Sequence, residues 1–580
     1  MQRASWSALF GIMCIGVTLA VTSVIYSETT DAAPPEQRLV WLHAKTSKQI
    51  QQWVDGGLDV WQVDGDRVLA QVTQEQLASL KESELDFEPA PQLGMPVFPA
   101  CYRTYSDLPL FFHEMQAQYP NLFQLYDVGD TWEKVHGTAN RDIFVARLTN
   151  YDIRTDKPKL FITAEHHARE IITVEVALQF IEDLLKNYGQ DPQVRWLLDN
   201  REVWVMPMTN PDGYEWVVQL ADWRKNTDRP QLCPNGAPPN SYGVDLNRNY
   251  GYQWGLDVGS SPEPCMLTYR GHAPFSEPET QAVRDLVQQT HFDLLLSLHS
   301  YGDVILYPWG YTYQPAPDAD GLYRIANRMA ETAGYAAMQS WGVGYLSSGD
   351  TTDWAYGELG IPSFTMEIGG MEDGFFWPDC TKRQELYDEV RDALIYGAVI
   401  ADAPYERANG PDIRRLAVEN DGQMVINAQA DDMWNGEDTI AGIELFFDTL
   451  GEPGTGLRAL PADGEFNTAR EWGVFRLDPS DAPAGASLAL VRARDEKGHW
   501  GPPRAAFLSP PASGDSQATP TATVPPRGLT PSPSLTPHPP DLTPIAPTPT
   551  PVMSGPTPVP TQDQPWHLTQ TAYLPLVRMD

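Results

Sequence analysis

Apolar and polar positions alternate along residues 101–402 with two different spacings. Short apolar runs are separated by segments in which apolar residues recur every three or four positions, the spacing of an amphipathic helix. This alternation predicts an α/β layer around a buried sheet. The turn residues at 209–213 predict a turn, and residues 276–279 predict a capping box for the third helix. The predicted strands are 122–128, 143–148, 159–164, 203–208, 291–300 and 363–368, and the predicted helices are 106–118, 171–186, 280–289, 320–334 and 384–401.

Two smaller units flank this region. Residues 35–95 have the pattern strand, helix, two strands and helix, with Thr73 as a candidate cap of the second helix. We predict a small α+β prosegment that assists folding or covers the active site, with a permanently attached accessory domain as the alternative. Residues 406–509 change to short alternating strands separated by turn residues, which predicts an all-β sandwich of immunoglobulin type.

The two ends of the chain have the composition of targeting and linker segments. Residues 1–33 begin with Arg3, continue with an apolar run and end in small residues, which predicts a signal peptide, with an uncleaved anchor as the alternative. Residues 510–566 are rich in Pro and Thr and are predicted to be a disordered linker. The tail at 567–580 contains an apolar segment too short to span a membrane. We therefore expect a secreted, extracellular protein without a membrane span beyond the signal segment, attached to a cell surface if either end acts as an anchor.

Charge and cysteine content restrict the partners and the compartment. The formal net charge is −37, from 40 Lys and Arg against 77 Asp and Glu, which argues against nucleic acid and anionic membranes as partners. Cys14 lies in the predicted signal peptide, and four cysteines remain, so three disulfide pairings are open. Cys233–Cys265 would close a loop rich in Pro, Gly and Asn, and Cys101–Cys380 would join the two ends of one domain. We predict this pairing.

Two adjacent histidines occur where the strand 159–164 ends and the helix 171–186 begins. The second of them, His167, lies three residues before Glu170, so both side chains can converge on one ion from a first helical turn. Two histidines and a carboxylate, with water in an open fourth position, are typical ligands of catalytic zinc. A polar helix start without a metal is the alternative.

Other candidate residues lie in the same region. His299 lies at the end of a buried strand, where α/β folds build their sites. Glu367 lies within an apolar strand and would be costly to bury without a partner or a role. Arg224, Asn247 and Arg248 form a basic and amide-rich group.

Seven short motifs connect these residues to a known family. On these motifs, residues 102–401 resemble the zinc metallocarboxypeptidases of the carboxypeptidase A/B type, with a pattern closest to bacterial carboxypeptidase T. The resemblance implies an α/β fold with a mixed central sheet flanked by helices, in a catalytic domain at 100–403. The motifs, in chain order, are HARE at 167–170, NPDG at 210–213, WRK at 223–225, DLNRN at 245–249, SLHSY at 297–301, DW at 353–354 and FTME at 364–367.

The resemblance also implies roles for individual residues. One Zn²⁺ per chain would be held by His167, Glu170 and His299. Glu367 would be the general base that activates a water, and Arg224 would stabilise the oxyanion. The residues that would bind the substrate are Arg169, Asn247, Arg248, Ser300, Tyr301, Tyr345, Asp350 and Thr352.

Within this set, Asn247 and Arg248 would hold the terminal carboxylate of the substrate. Tyr345 lies 22 residues before Glu367, the spacing of the family's mobile tyrosine, and Tyr356 is the rival. His166 is the rival of His167 as a ligand, but it is out of register with Glu170.

The residues near the predicted specificity pocket differ from those of the digestive enzymes. Thr352 is neither apolar nor acidic, whereas Asp350, two residues earlier, resembles the carboxypeptidase T arrangement. We therefore expect acceptance of apolar and basic C-terminal residues, with a loop-capping role of Asp350 as the alternative. The resemblance also allows structural Ca²⁺, although the spacing indicates no site.

These patterns predict a secreted, zinc-dependent exopeptidase that acts on peptides and proteins with a free C-terminus. Hydrolysis of cell-wall peptides or of amide-linked acyl groups is a second hypothesis, against which the carboxylate-binding residues argue. An inactive peptidase fold used as a surface binding module is a third, although every catalytic position is filled. The ligand of the sandwich domain stays unknown.

Overall fold

The computed structural model describes residues 37–83, 85–90, 98–219, 222–228, 241–420 and 422–509. The predicted signal peptide, linker and tail at 1–33, 510–566 and 567–580 lie outside these residues. Among the helices of the described part of the chain, none combines the length and the apolar character that a membrane crossing requires.

The N-terminal unit has the three strands and two helices that the pattern of residues 35–95 predicts, and a short fourth strand that it does not. The strand order is β2-β3-β1-β4. Thr73 caps the second helix through a capping box, since its Oγ1 accepts a hydrogen bond from Gln76 N and its own N–H donates to Gln76 Oε1. The elements are β1 (Gln37–His43), α1 (Ser47–Asp55), β2 (Asp59–Asp64), β3 (Arg67–Thr73), α2 (Gln74–Glu82) and β4 (Phe87–Pro89).

The central region contains an eight-stranded mixed sheet, which confirms the predicted fold class of this region. The strand order is β11-β10-β12-β9-β7-β8-β6-β5, with β12, β9, β7 and β8 mutually parallel. The strands are β5 (Phe123–Asp130), β6 (Asp142–Leu148), β7 (Lys159–Ala164), β8 (Glu202–Met206), β9 (Leu294–His299), β10 (Val304–Tyr307), β11 (Ala336–Gln339) and β12 (Ser363–Glu367). The helices are α3 (Leu108–Gln118), α4 (Trp132–Val135), α5 (Ile171–Asn187), α6 (Pro192–Asn200), α7 (Pro211–Val218), α8 (Pro278–Thr290), α9 (Ala319–Ala333), α10 (Thr351–Leu359) and α11 (Lys382–Ile400).

Both faces of this sheet are covered by helices, because side chains of its inner strands alternate between two apolar clusters. In β7, Leu160 and Ile162 lie in the cluster formed with α5 and α11, whereas Phe161 lies in the cluster formed with α8 and α10. A strand buried on both faces is a continuous apolar run, which is why β7 and β9 are evident in the sequence.

Two local predictions are wrong. Residues 209–213 are not a free turn, because Asn210 caps α7 by accepting a hydrogen bond from Gly213 N at 3.0 Å. Helix α8 has no capping box. Instead, Asn249 Oδ1 accepts from Glu277 N at 3.2 Å and from Thr280 Oγ1 at 2.7 Å. A side chain distant in sequence therefore replaces the local cap.

The C-terminal region after α12 (Pro404–Asn409) consists of two four-stranded sheets. Their orders are β13-β14-β18-β17 and β16-β15-β19-β20, and residues such as Ile426 and Val491, one from each sheet, share one apolar cluster. The β-rich character is as predicted, whereas the immunoglobulin type stays a prediction. The strands are β13 (Asp412–Asn420), β14 (Met424–Asp431), β15 (Ile440–Phe447), β16 (Leu457–Arg458), β17 (Leu460–Pro461), β18 (Arg470–Leu477), β19 (Leu488–Asp495) and β20 (Arg504–Phe507).

One predicted disulfide is confirmed. Cys101 and Cys380 are bonded, with their Cα atoms 5.8 Å apart and 279 residues between them in sequence. Cys265 is disulfide-bonded as well, and its predicted partner Cys233 lies outside the described residues. The confirmed bond joins the start of the central region to the segment before α11.

Candidate active site

The candidate metal ligands lie at the carboxyl ends of the parallel strands. His299 is the last residue of β9, and it pairs in register with Glu367, the last residue of β12. His167 lies in the turn after β7, and Glu170 immediately precedes α5. The sheet edge thus brings together residues as far apart in sequence as His167 and Glu367, which are separated by 200 positions.

The structure places His167, Glu170 and His299 in mutual contact. The Nδ1 atoms of the two histidines are 3.2 Å apart. Glu170 Oε1 lies 2.7 Å from His167 Nδ1, and Glu170 Oε2 lies 2.9 Å from His299 Nδ1. All three side chains are buried. Two ligand nitrogens at the usual zinc–nitrogen distance in a tetrahedral site lie about 3.3 Å apart. The observed spacing fits one zinc ion.

The opposite nitrogens of both rings are held by neighbouring side chains. His167 Nε2 donates to Asp245 Oδ1 at 3.1 Å, and His299 Nε2 lies 3.1 Å from Ser297 Oγ. Because a carboxylate only accepts, His167 carries a proton on Nε2, and the neutral form of the ring then has its lone pair at Nδ1. A lone pair facing the carboxylate of Glu170 is repulsive unless a cation lies between them, so the donor set fits a metal ion.

His166 does not join this group. Its Nε2 lies 2.7 Å from Tyr250 Oη and 3.1 Å from Thr351 Oγ1, and its ring stacks on that of His299. Burial holds the pKa of His166 well below its usual value, so the ring is neutral. Its contacts are those of a supporting side chain beside the candidate ligands.

Glu367 and Arg224 line the same cleft as the three candidate ligands. Burial and the charge of Glu170 raise the pKa of Glu367 well above its usual range, and Arg224 and Arg248 offset this only in part. Arg224 is fixed by Asp245, whose Oδ2 accepts from Nε at 3.1 Å and from Nη2 at 3.0 Å. One buried aspartate therefore orients both His167 and Arg224, a role that sequence reasoning missed although Asp245 begins the DLNRN motif.

The residues predicted to bind a carboxylate line the cleft as well. Arg248 is positioned by two backbone carbonyls, since Nε donates to Gly259 O and Nη1 to Asn247 O, both at 2.7 Å. Asn247 Oδ1 accepts from Thr351 N at 2.9 Å, which leaves Nδ2 at 3.4 Å from His299 Nε2. These contacts fix an amide and a guanidinium beside the candidate metal ligands.

Tyr345 is a half-buried residue of the cleft wall, and burial raises the pKa of its phenol. The rival Tyr356 is buried elsewhere, and its hydroxyl donates to Asp318 at 2.9 Å. Ser300 and Tyr301 follow His299 and also line the cleft. Tyr345 rather than Tyr356 therefore faces the cleft.

Asp350 both caps a helix and lines the cleft, the two alternatives that the sequence left open. It caps α10, because Oδ1 accepts from Asp353 N at 2.8 Å and from Thr352 Oγ1 at 3.0 Å. Its Oδ2 accepts from Ser347 Oγ at 3.2 Å, and Asp350 and Thr352 both line the cleft. The capping contact thus fixes the carboxylate at the cleft wall.

The N-terminal unit contacts Arg169. The guanidinium is buried and forms a two-bond pair with Asp59 of β2, with distances of 2.7 and 2.8 Å, and a longer contact of 3.3 Å to Asp222. Burial lowers the pKa of Arg169, but the charges of Asp59 and Asp222 outweigh it and raise the pKa. Arg169, which was predicted to bind the substrate, is therefore bound by two aspartates of the same chain.

Trp61, also from β2, fills an aromatic corner of the cleft. Its ring centroid lies 4.9 Å from that of Phe376 and 5.7 Å from that of Phe375, and Tyr301 packs in the same apolar cluster. Apart from the prediction of a covering prosegment, no sequence pattern indicates these contacts, because no local pattern specifies which strand meets a distant cleft.

Known proteins match the chain in both sequence and fold. A sequence profile described as zinc carboxypeptidase matches residues 110–392. A zinc carboxypeptidase of Saccharothrix mutabilis subsp. capreolus is 30% identical over 406 residues, covering 63% of this chain and 89% of that protein. Carboxypeptidase A1 of Rattus norvegicus is 33% identical over 279 residues, covering 46% of this chain and 62% of the rat protein, so the chain spans less than two thirds of that relative.

A solved structure supports the fold alone. The crystal structure of the carboxypeptidase A from Helicoverpa armigera aligns with a TM-score of 0.55 and 24% identity, covering 64% of this chain and 98% of that one.

Proposed function

Because the chain belongs to the zinc carboxypeptidase family, we propose that it removes single residues from the free C-terminus of peptides and proteins by zinc-dependent hydrolysis. The observation that supports this most directly is the convergence of His167, Glu170 and His299 beside Glu367 in one cleft. Arg224, Asn247 and Arg248 in the same cleft supply the positive charge and amide that a terminal carboxylate and a developing oxyanion require.

Each residue has a task that its chemistry supports. Zinc held by the three ligands would polarise the scissile carbonyl and make a water available as a nucleophile near neutral pH. Glu367 accepts the proton of that water and passes it to the nitrogen of the leaving residue as the C–N bond breaks. Arg224 donates to the carbonyl oxygen as it gains negative charge.

The preference for the last residue is proposed to be broad. Thr352, in the first turn of α10, adds no charge to the cleft wall, and Asp350 places one carboxylate there, where a Lys or Arg side chain could pair with it. Since its oxygens already accept three hydrogen bonds, Asp350 is held in place when an apolar residue binds instead. Substrates ending in Leu and in Lys are both expected to be cleaved.

We further propose that residues 35–95 are a prosegment that covers the cleft. Asp59 occupies Arg169, and Trp61 occupies the aromatic corner beside Tyr301 and Phe376, so a peptide cannot use either group while this unit is docked. Further contacts hold it in place, for example Gln51 Oε1, which accepts from Leu346 N at 2.7 Å. Cleavage after this unit would open the cleft.

The proposal includes a secreted location, with attachment to a cell surface if the N- or C-terminal segment acts as an anchor. The predicted signal peptide at 1–33 supports it, and so does the disulfide Cys101–Cys380, since such bonds persist in oxidising compartments.

A mass-spectrometric time course tests this function. Peptides ending in Leu or Lys are incubated with proteolytically activated protein, each with a free or an amidated C-terminus and with or without a zinc chelator. We expect stepwise loss from the free peptides only, abolished by chelation, restored by Zn²⁺ and reduced about 10³-fold in kcat by Glu367→Gln. Glu372→Gln, at an acid of the same cleft, is the matched control.

Other outcomes would reject parts of the proposal. Equal attack on amidated peptides would contradict the role of Asn247 and Arg248 and would favour the amide-hydrolase hypothesis. No cleavage of any peptide after removal of the N-terminal unit would favour the binding-module hypothesis.

A further inference from the structure

Three carboxylates of the C-terminal β-rich region converge at one edge of its sheets. Asp432 directly follows β14, Asp495 is the last residue of β19, and Asp438 lies in the loop that leads from β14 to β15. One oxygen atom from each carboxylate lies within 4.8 Å of the others. Asp432 and Asp495 are completely buried, whereas Asp438 is partly exposed. We call these three residues the Asp432 cluster.

The carboxylate of Asp432 is incompletely satisfied. Its Oδ2 accepts a hydrogen bond from Asp438 N at 2.7 Å, whereas its Oδ1 is buried without a hydrogen-bond partner among the described residues. Asn435, in the same loop and 1% exposed, also has a buried Oδ1 that no described donor reaches. A buried oxygen without a donor is costly, and more so beside like charges.

The negative charges of the other two carboxylates, Asp495 and Asp438, are partly compensated by neighbouring side chains. Asp495 accepts from His499 N at 2.8 Å and from His499 Nδ1 at 2.7 Å. Asp438 Oδ1 lies 2.8 Å from Lys497 Nζ, a side chain that is 59% exposed. Exposed ion pairs of this kind are weak, so a divalent cation can displace the lysine. Neither contact reaches Oδ1 of Asp432.

We propose that the Asp432 cluster binds Ca²⁺. Three carboxylates offer hard oxygen ligands, and Ca²⁺ completes a shell of six to eight oxygens with carbonyl, amide and water oxygens. Asn435, in the same loop, offers a buried neutral side-chain oxygen that no described donor reaches. The cluster lies outside residues 110–392, the part of the chain that the zinc carboxypeptidase profile matches, so this inference is independent of the proposed catalytic function.

The loop of the cluster also joins the two larger regions of the molecule. Asn435 Nδ2 donates to Gly410 O at 2.6 Å, and Arg324 of α9 donates to the carbonyl oxygen of Asn435. A cation that fixes this loop would therefore stabilise the junction between the α/β region and the β-rich region. We expect Ca²⁺ to raise thermal stability through this junction.

The test uses the full chain, stripped of metal by a chelator and resupplied with one equivalent of Zn²⁺. Terbium(III), a Ca²⁺ substitute, is added first, because Trp434 lies two residues from Asp432 and can sensitise its luminescence. We expect sensitised luminescence that Ca²⁺ displaces, and a rise of about 5 °C in Tm at a 100-fold excess of Ca²⁺ over its Kd.

Variants assign the effect to the cluster. Asp432→Asn and Asp438→Asn are expected to abolish the luminescence and the Tm shift, and Asp438→Asn, at a partly exposed residue, covers the case in which Asp432→Asn does not fold. Glu437→Gln removes a neighbouring acid outside the cluster and is expected to retain both effects.

Two results would overturn the proposal. The first is a Ca²⁺ response in Asp438→Asn equal to that of the unmodified chain, since the ion would then bind elsewhere. The second is the absence of both luminescence and Tm shift in the unmodified chain at millimolar Ca²⁺.

Discussion

Asp245 shows how one buried side chain can set the chemistry of two others. Its Oδ1 accepts from His167 Nε2, and its Oδ2 accepts from Arg224. Burial raises the pKa of Asp245, but the charges of Arg224 and Arg248 outweigh it and hold the pKa well below its usual range. The residue therefore stays ionised, donates no proton to His167 and orients the guanidinium of Arg224 at the cleft wall.

Asp245→Asn is expected to weaken zinc binding about 10- to 100-fold, because the amide can no longer accept as strongly from His167 Nε2. Competition with a zinc chelator of known affinity measures this directly. Asp257→Asn, at a 77% exposed residue paired with Arg270, is the matched control and is expected to leave zinc affinity unchanged. Equal affinities of the two variants would contradict the positioning role of Asp245.

Glu277 and its neighbour Glu279 are buried carboxyl groups that do not line the cleft. Burial and the charge of Asp228 raise the pKa of Glu277 to about 7, while Ser276 and Asn226 donate hydrogen bonds to it. Because the folded-state pKa lies above the unfolded value of about 4.5, the protonated form is favoured by folding. Its contribution to stability is complete below pH 4.5 and is lost as the pH rises through 7.

Glu277→Gln, which keeps the shape and removes the ionisation, is therefore expected to stabilise the protein at pH 8 relative to pH 5. The relative gain is about 2.5 kcal/mol, because most of the difference between a pKa of about 7 and one of 4.5 is titrated between pH 5 and pH 8. Calorimetric Tm values of the variant and the unmodified chain between pH 5 and 8 measure it. Glu263→Gln, at an exposed acid of the same region, should show no such trend. A Tm difference independent of pH would refute the assignment.

At the scale of elements, the sequence predicts those whose pattern is local. Strands β7 and β9 are buried on both faces and are continuous apolar runs, and α9 ends at Gly334 in the left-handed conformation that its sequence indicates. Strands β10 and β11 were not predicted, since four residues each give too little pattern. The cap of α8 was predicted wrongly because its partner, Asn249, is supplied by tertiary structure.

Strand β2 is the element whose position the sequence could not specify. Its alternating pattern predicts a strand, but its contacts with Arg169 through Asp59 and with Phe376 through Trp61 depend on how two units dock. Burial raises the pKa of Asp59, yet the guanidinium of Arg169 outweighs this and holds it below the usual value. The pair is therefore ionised and anchors the N-terminal unit over the cleft.

Asp59→Asn is expected to raise the peptidase activity of the intact chain about tenfold or more. Replacing one partner of a buried charged pair commonly costs several kcal/mol, and each 1.4 kcal/mol shifts the docking equilibrium tenfold. The measurement is the initial rate on a free-C-terminus peptide before and after proteolytic removal of the unit.

Asp64→Asn, at the exposed end of the same strand, is the control. After proteolysis, all three proteins are expected to have the same rate. An intact Asp59→Asn chain no more active than Asp64→Asn would contradict the covering role.

At the scale of the whole molecule, the site is assembled from segments that lie far apart in sequence. The motifs predicted which residues meet, because His167, Glu170, His299 and Glu367 all belong to strand ends or the turns after them. They could not predict the distances between these side chains, nor that Asp59 of the N-terminal unit forms an ion pair with Arg169. Both depend on the packing of helices on the two faces of the sheet and on the docking of a separate unit.

The disulfide Cys101–Cys380 acts at this same scale. It closes a loop of 279 residues that contains all of β5 to β12, so it restricts the unfolded chain more than a local bond would. Arg383 reinforces the junction, because its Nη1 donates to Cys101 O at 2.6 Å. The bond therefore stabilises the region that carries the candidate active site.

Replacing both cysteines by serine, Cys101→Ser with Cys380→Ser, is expected to lower the free energy of unfolding by about 2–5 kcal/mol and Tm by roughly 5–10 °C. The double substitution is required because Cys265 is also disulfide-bonded, so a reductant would break more than one bond, and a single substitution would leave a reactive thiol. Scanning calorimetry of the full chain with zinc present measures the shift. Zinc affinity at 25 °C should be unchanged, since the two cysteines do not line the cleft. An unaltered Tm would mean that packing alone holds the ends of the central region together.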